Sequence, residues 1–235
     1  MAKRELEEIN AGSMADIAFL LLIFFLVTTT MNRPKALERS LPQKIDNPET
    51  FVFNERDVFE VLVNSRNDLL VENKYVSIEE LKDLTKEFYT NPKRLDNLPQ
   101  LRTINEAICN EKISEIKAGM AIKSDDAALA NQLTEWEDKL ATVGLIGEYK
   151  ELPKVASIRL QSDNGTTYDM YFQVQNELEA AINELRDELS LKKFEVEFSD
   201  LNPRDPKDQE KVKAIRTVYP QRIVESYRNV GEGAQ

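Results

Sequence analysis

The chain has 235 residues, with 31 Lys and Arg against 42 Asp and Glu, a net charge of -11 and a sequence pI near 4.8. That length accommodates one membrane helix and one soluble domain able to bury its own core, and the acidic balance excludes the basic stripe that a nucleic-acid partner requires. Histidine is absent and Cys109 is the only cysteine. The usual general base near neutral pH and the commonest metal ligand are therefore missing, and no disulfide or zinc knot can form.

Residues 1–12 are a short charged and polar arm, and a membrane helix is expected over 13–31. Asp16 stands just before an uncharged run, Ile17 to Met31. The run gives about 22 Å of helix, against a hydrocarbon core of roughly 30 Å. If the helix spans, Asp16 lies in the low-dielectric slab or the bilayer thins around it. A cleaved signal peptide is disfavoured: Glu5, Glu7 and Glu8 accompany Lys3 and Arg4, Asp16 interrupts the approach, and Thr28, Thr29, Thr30 and Met31 lack the small residues of a cleavage site. Charge does not set orientation, since Lys3 and Arg4 face Arg33, Lys35 and Arg39 across the run.

Residues 32–56 carry Pro34, Pro42 and Pro48 among charged residues and read as an extended tether. A folded domain is expected over 57–230. It opens with a strand, Asp57 to Val63, with apolar Val58, Val61 and Val63; a polar turn, Asn64 to Asp68, and a second strand, Leu69 to Glu72, complete a hairpin. Ser77 to Tyr89 reads as a helix, with a Ser77–Glu80 capping box and Ile78, Leu81, Leu84 and Phe88 on one face packed on the hairpin. A helical section follows over about 91–153, with helices expected from Leu98 to Lys117 and from Asp125 to Val143, the second stopped by Gly144. Cys109 and Trp136 read there as packing residues.

Lys154 to Ser162 reads as a strand. The turn Asp163-Asn164-Gly165 suggests a return strand, but Met170, Val174, Leu178, Ala181, Ile182, Leu185 and Leu189 recur at helical spacing. A long helix from Thr167 to Leu191 is preferred because the stripe outweighs the turn. Then come a strand, Phe194 to Phe198, a helix opening at Asp205-Pro206 and ending at Tyr219-Pro220, an edge strand, Arg222 to Tyr227, and a tail, 231–235. The fold class is α+β: a single N-terminal transmembrane helix, a tether, and a small mixed α/β domain with a helical insertion.

No phosphate loop, nucleophile elbow or metal spacing is present, so no cofactor, no metal and no enzymatic activity are expected. A secreted enzyme on a signal anchor is the weakest option. Asp16 has two readings. A carboxyl in hydrocarbon is costly and usually functional, because it can be taken up neutral and ionise on meeting water or a polar partner. Alternatively Ser13-Met14-Ala15-Asp16 matches a capping box at a helix start. At i+4, i+7 and i+11 stand Leu20, Ile23 and Val27, so a proton route needs another protein or another copy. Asn10, Ser13 and Thr28 are the candidates for polar lining or a helix cap.

These residues resemble the ExbD/TolR family of biopolymer-transport proteins, whose hallmark is an asparagine some residues before a membrane aspartate, a single Leu/Ile/Phe-rich helix and a Leu-Pro pair in the tether. Asn10, Asp16, Ile17 to Val27 and Leu41-Pro42 stand in those places. Val58 to Tyr89 looks like the first half of the family's periplasmic domain, and Lys154 to Leu191, with Tyr219-Pro220, like the second half of its longer variant. Gly12 and Ser13 replace the family's Thr-Pro, and the section 91–153 is an insertion relative to short members.

The resemblance implies an inner-membrane protein with a cytoplasmic N-terminus and a periplasmic domain, part of a motor driven by the proton motive force. Asp16 would be the proton-accepting group, inside an ExbB-like membrane protein ring that encloses two copies of the chain. The periplasmic dimer would act on a TonB-like protein that opens outer-membrane transporters. The alternatives are a TolR-like role in envelope maintenance and a membrane-tethered periplasmic scaffold or binding domain in which Asp16 only caps its helix.

Overall fold

The computed structural model describes residues 11–29, 54–122 and 126–227. The chain divides into two units, residues 1–49 and 50–235.

In the first unit α1 runs over Ala11–Thr29, 19 residues. Its described side chains, Met14 to Phe25, are all exposed, the large apolar ones between 41% and 62%. Among the described residues no helix is long and apolar enough to cross a membrane. The expected tether falls outside the described residues for nearly all of its length.

The second unit is a mixed sheet with helices, which fits the α+β expectation. After a single 3₁₀ turn, Glu55–Asp57, β1 spans Val58–Val63. Phe59, Val61 and Val63 point into the core and Val58 is only half-buried, so the inward face starts one residue later than expected. The turn after it is closed by Asn64, whose Oδ1 accepts from the backbone N–H groups of Arg66 and Asp68, both at 2.9 Å. The partner strand β2, Leu69–Val71, is antiparallel to β1. A third short strand, β3, Lys74–Tyr75, is an addition to the expected hairpin. It returns through Glu72 and Asn73, both at positive φ (50° and 63°), the conformation of a two-residue hairpin turn. Glu-Asn is not the usual sequence for it, which hid the turn.

The helix α2, Ile78–Thr90, carries the expected capping box: Glu80 N–H donates to Ser77 Oγ, and Ser77 N–H to Glu80 Oε2. Its face, Leu81 and Phe88, is buried in one cluster with Phe59, Val61, Val63, Leu69 and Val71. Burying a Leu or Phe side chain of this kind stabilises by about 1.5–3 kcal/mol.

The middle section differs in its bounds. In place of a helix from Leu98 stand a strand, β4, Arg102–Ile104, and then α3, Glu106–Ile122. Asn105 accepts the N–H of Ile108 at 3.0 Å and so marks the start of the helix. The next helix, α4, is Ala127–Ile146 and opens on Asp126, which accepts from Ala128 and Leu129 N–H. It runs through Gly144 and stops at Gly147, whose φ of 85° suits only glycine without strain. β5, Tyr149–Glu151, pairs antiparallel with β4, a two-stranded sheet that the apolar pattern did not announce.

β6, Ser157–Ser162, lies parallel to β1. The conflict after it resolves as expected: α5, Tyr168–Phe194, opens on Thr167 and buries Val174, Leu178, Ala181, Ile182 and Leu185. At Gly165 a Cβ would sit 2.7 Å from the Cβ of Ser65, so the turn is held tight against the one after β1. The expected strand Phe194 to Phe198 does not form. Phe194 closes α5, Glu195 turns the chain at φ 58°, and Phe198–Asp200 is a 3₁₀ turn. α6, Pro206–Val218, opens on Asp205 as expected, and β7, Ile223–Tyr227, is parallel to β6 at the sheet edge.

The large sheet therefore has the order β3-β2-β1-β6-β7. Leu81 and Phe88 of α2 and Val174, Leu178 and Ile182 of α5 bury against its inward residues. Between the two helices Glu184 takes ion pairs from Lys82, at 2.6 Å, and from Lys86. A second cluster joins Ile104, Cys109, Ile146 and Tyr149 to Ala214 and Val218 of α6, with Trp136 packed on it. Cys109 is free and buried there, as core filler.

Candidate functional site

Asp16 is the sixth residue of α1 and is exposed. The free N–H groups of a helix belong to its first turn, and Asp16 lies one turn further in. Its neighbours at i+4 and i+7, Leu20 and Ile23, are apolar and exposed at 59% and 41%. Ser13 and Thr28 are in the same helix, with side chains outside those described. Asn10, Leu41 and Pro42 lie outside the described residues. The structure thus places Asp16 on an apolar helix and brings no described polar group to it.

The second unit gathers charge differently. Lys139 of α4 is buried at 4% exposure. Its Nζ lies 3.0 Å from Glu135 Oε1 on the same helix and 2.8 Å from Glu151 Oε1 of β5, and 4.5 Å from the centre of the Trp136 ring. Glu135 also pairs with Lys154 at 2.6 Å. Burial would raise the Glu135 carboxyl, but hydrogen bonds from Lys154 and Lys139 outweigh it and hold the group below its usual range. The i,i+4 spacing of Glu135 and Lys139 was visible in the sequence. The approach of Glu151 was not, because it needs β5.

A third set of polar groups holds the segment Tyr219-Pro220. The Tyr89 hydroxyl donates to Pro220 O at 2.7 Å, and Arg186 Nε and Nη2 donate to Tyr219 O at 3.0 and 2.9 Å. Burial pushes the Tyr89 phenol up to about 12 and, with repulsion from Arg216, brings the Arg186 guanidinium down to about 10. Burial also raises the Cys109 thiol and, with the charge of Glu151, the Tyr149 phenol. A thiol raised in this way is a poor nucleophile. Among the described residues no three His, Cys, Asp or Glu are placed to hold a metal ion. The arrangement offers paired charges and backbone clamps in the folded unit and one isolated carboxyl in α1.

A family model, that of the biopolymer transport protein ExbD/TolR, matches residues 2–186. It therefore takes in α1, the sheet through β6 and the first part of α5. No curated protein and no solved structure matches the chain.

Proposed function

Because the chain belongs to the ExbD/TolR family of biopolymer transport proteins, we propose that it is the proton-accepting component of an inner-membrane motor driven by the proton motive force. In this reading α1 is the membrane helix, with the N-terminus cytoplasmic and residues 57–230 periplasmic. Asp16 takes up and releases protons inside a ring of an ExbB-like membrane protein that encloses two copies of the chain. The folded unit passes the resulting motion to a TonB-like protein serving outer-membrane transport. Residues 32–56, with Leu41-Pro42, are the tether between the two.

The observation that carries the reading is the character of α1, which is apolar on every described side except at Asp16. An exposed apolar surface of that extent requires a covering of lipid or protein. Taken alone α1 is not long and apolar enough to cross a membrane. Its nineteen residues give about 28 Å against a hydrocarbon core of roughly 30 Å, so the reading has the bilayer thin around it. A carboxyl placed a turn inside such a helix is within the slab rather than at its rim, which favours a transport role over a cap. The driving force is adequate, since one charge crossing 100 mV releases about 2.3 kcal/mol.

Asp16→Asn is the test. Energised transport across the outer membrane is expected to be lost while the variant still co-purifies with its membrane partner. Retention of full transport would overturn the proposal and leave the tethered scaffold as the better account.

A further inference from the structure

We propose that α4 latches the edge strand β7, through a relay of side chains that crosses β5 and the connection from β5 to β6. The proposal goes beyond the membrane role of Asp16 and does not depend on it.

Among the described residues β7 has a strand neighbour on one side only, β6. An edge strand with a single ladder relies on other contacts to stay docked. Besides the hydrogen bond from Gln175 to Glu225 in the strand itself, they fall on the segment that leads into it, Tyr219 to Arg222. Tyr89 and Arg186 hold the carbonyls of Pro220 and Tyr219, as described above. Arg222 reaches the other way: its Nη1 donates to Pro153 O at 2.5 Å and to Ala156 O at 3.5 Å.

Pro153 and Ala156 belong to the connection between β5 and β6, and α4 holds that connection too. Glu151, the last residue of β5, pairs with the buried Lys139, and Lys154 in the connection pairs with Glu135. The connection is therefore a strap fixed by α4 and gripped by Arg222. Burial lowers the affinity of the Arg222 guanidinium for its proton, while Tyr89, Glu151 and Glu135 act in the opposite sense. If α4 lets go of Glu151, the carbonyls that satisfy Arg222 are no longer held in place. A part-buried guanidinium without acceptors is costly, so the loss is felt at β7. Coupling of this kind is reciprocal by linkage. The consequence is that a partner or force acting on α4 alters how firmly the sheet edge is closed.

Amide hydrogen–deuterium exchange on the full chain in detergent micelles tests it, with the ratio of β7 to β1 exchange as the readout. Glu151→Gln is expected to speed exchange over 223–227 by roughly tenfold, the factor for loss of one charged hydrogen bond, with 58–63 unchanged. In the reverse direction Arg222→Gln is expected to speed exchange over 149–151. Faster exchange confined to the mutated side in either variant overturns the relay. Equal acceleration of β1 and β7 does so too, because that is general loosening.

Discussion

Asp16 and Lys139 are both ionisable residues within helices, and the structure treats them in opposite ways. Lys139 is buried and meets two carboxylates, with an aromatic ring beneath it. Asp16 stands on an exposed apolar helix with Leu20 and Ile23 beside it. A buried charge without partners costs several kcal/mol, so a folded domain that keeps one supplies its counter-charges from its own chain. The difference separates a residue that holds the fold from one with no described part in holding it.

The largest expected effect breaks the first half of that contrast. Lys139→Met keeps the length of the side chain and removes its charge, leaving Glu151 and Glu135 facing each other in a poorly solvated site. Breaking a buried pair by deleting one partner costs about 3–5 kcal/mol. The urea midpoint of the folded unit is expected to fall accordingly. A midpoint unchanged from that of the natural protein would mean that the cluster is solvated enough to be dispensable. Asp16→Asn, by contrast, is expected to leave that midpoint where it is.

Much of the fold was legible because it is written in local patterns. The stripe Val174, Leu178, Ala181, Ile182 and Leu185 outweighed the hairpin turn before it, and Ser77 and Asp205 announced their helices by cap chemistry. What stayed hidden depended on contacts distant in sequence. β4 and β5 are three residues each and are strands because they pair with one another. Phe194 to Phe198 has strand-like composition, yet Phe194 packs on the second core and Glu195 ends the helix instead. Gly144 looked like a stop, but Gly147 is the position that turns left-handed. At the candidate site, Asp16 stood out because it stands just before an uncharged, largely apolar run, Ile17 to Met31. The cluster around Lys139 did not, since Glu151 is brought to it by the return of the chain through Gly147.

A smaller effect sharpens the contrast by showing what a mere cap is worth. Ser77 is a cap in both senses, accepting from Glu80 N–H while its own N–H donates to Glu80 Oε2 at 3.1 Å. Ser77→Ala is expected to lower the stability of the folded unit by about 1 kcal/mol, read as a shift in the urea midpoint. No loss would indicate that water replaces the hydroxyl at this end. If Asp16 were only a cap, its substitution would carry a cost of the same small size and no transport phenotype. The two substitutions side by side therefore distinguish the capping reading of Asp16 from the protonation reading.

The smallest effect lies at the solvent edge of the Lys139 cluster, where Lys154 pairs with Glu135 and both side chains are partly exposed. Lys154→Met is expected to cost only a few tenths to about 1 kcal/mol near neutral pH, because exposed pairs are screened by water. Its pH dependence is more informative than its size. The Glu135 carboxyl is held below its usual 4.5 in the folded chain, so the pair contributes stability above the unfolded value. That contribution is lost as pH falls through the lower, folded one. The gap between the natural protein and the variant should be constant above pH 4.5 and should close as the pH drops below it. A gap that persists undiminished into acid would show that the stem of Lys154 stabilises by packing alone. A gap that closes would place the charge of Glu135 among the forces holding α4 to the strap, the same attachment on which the docking of β7 is argued to depend.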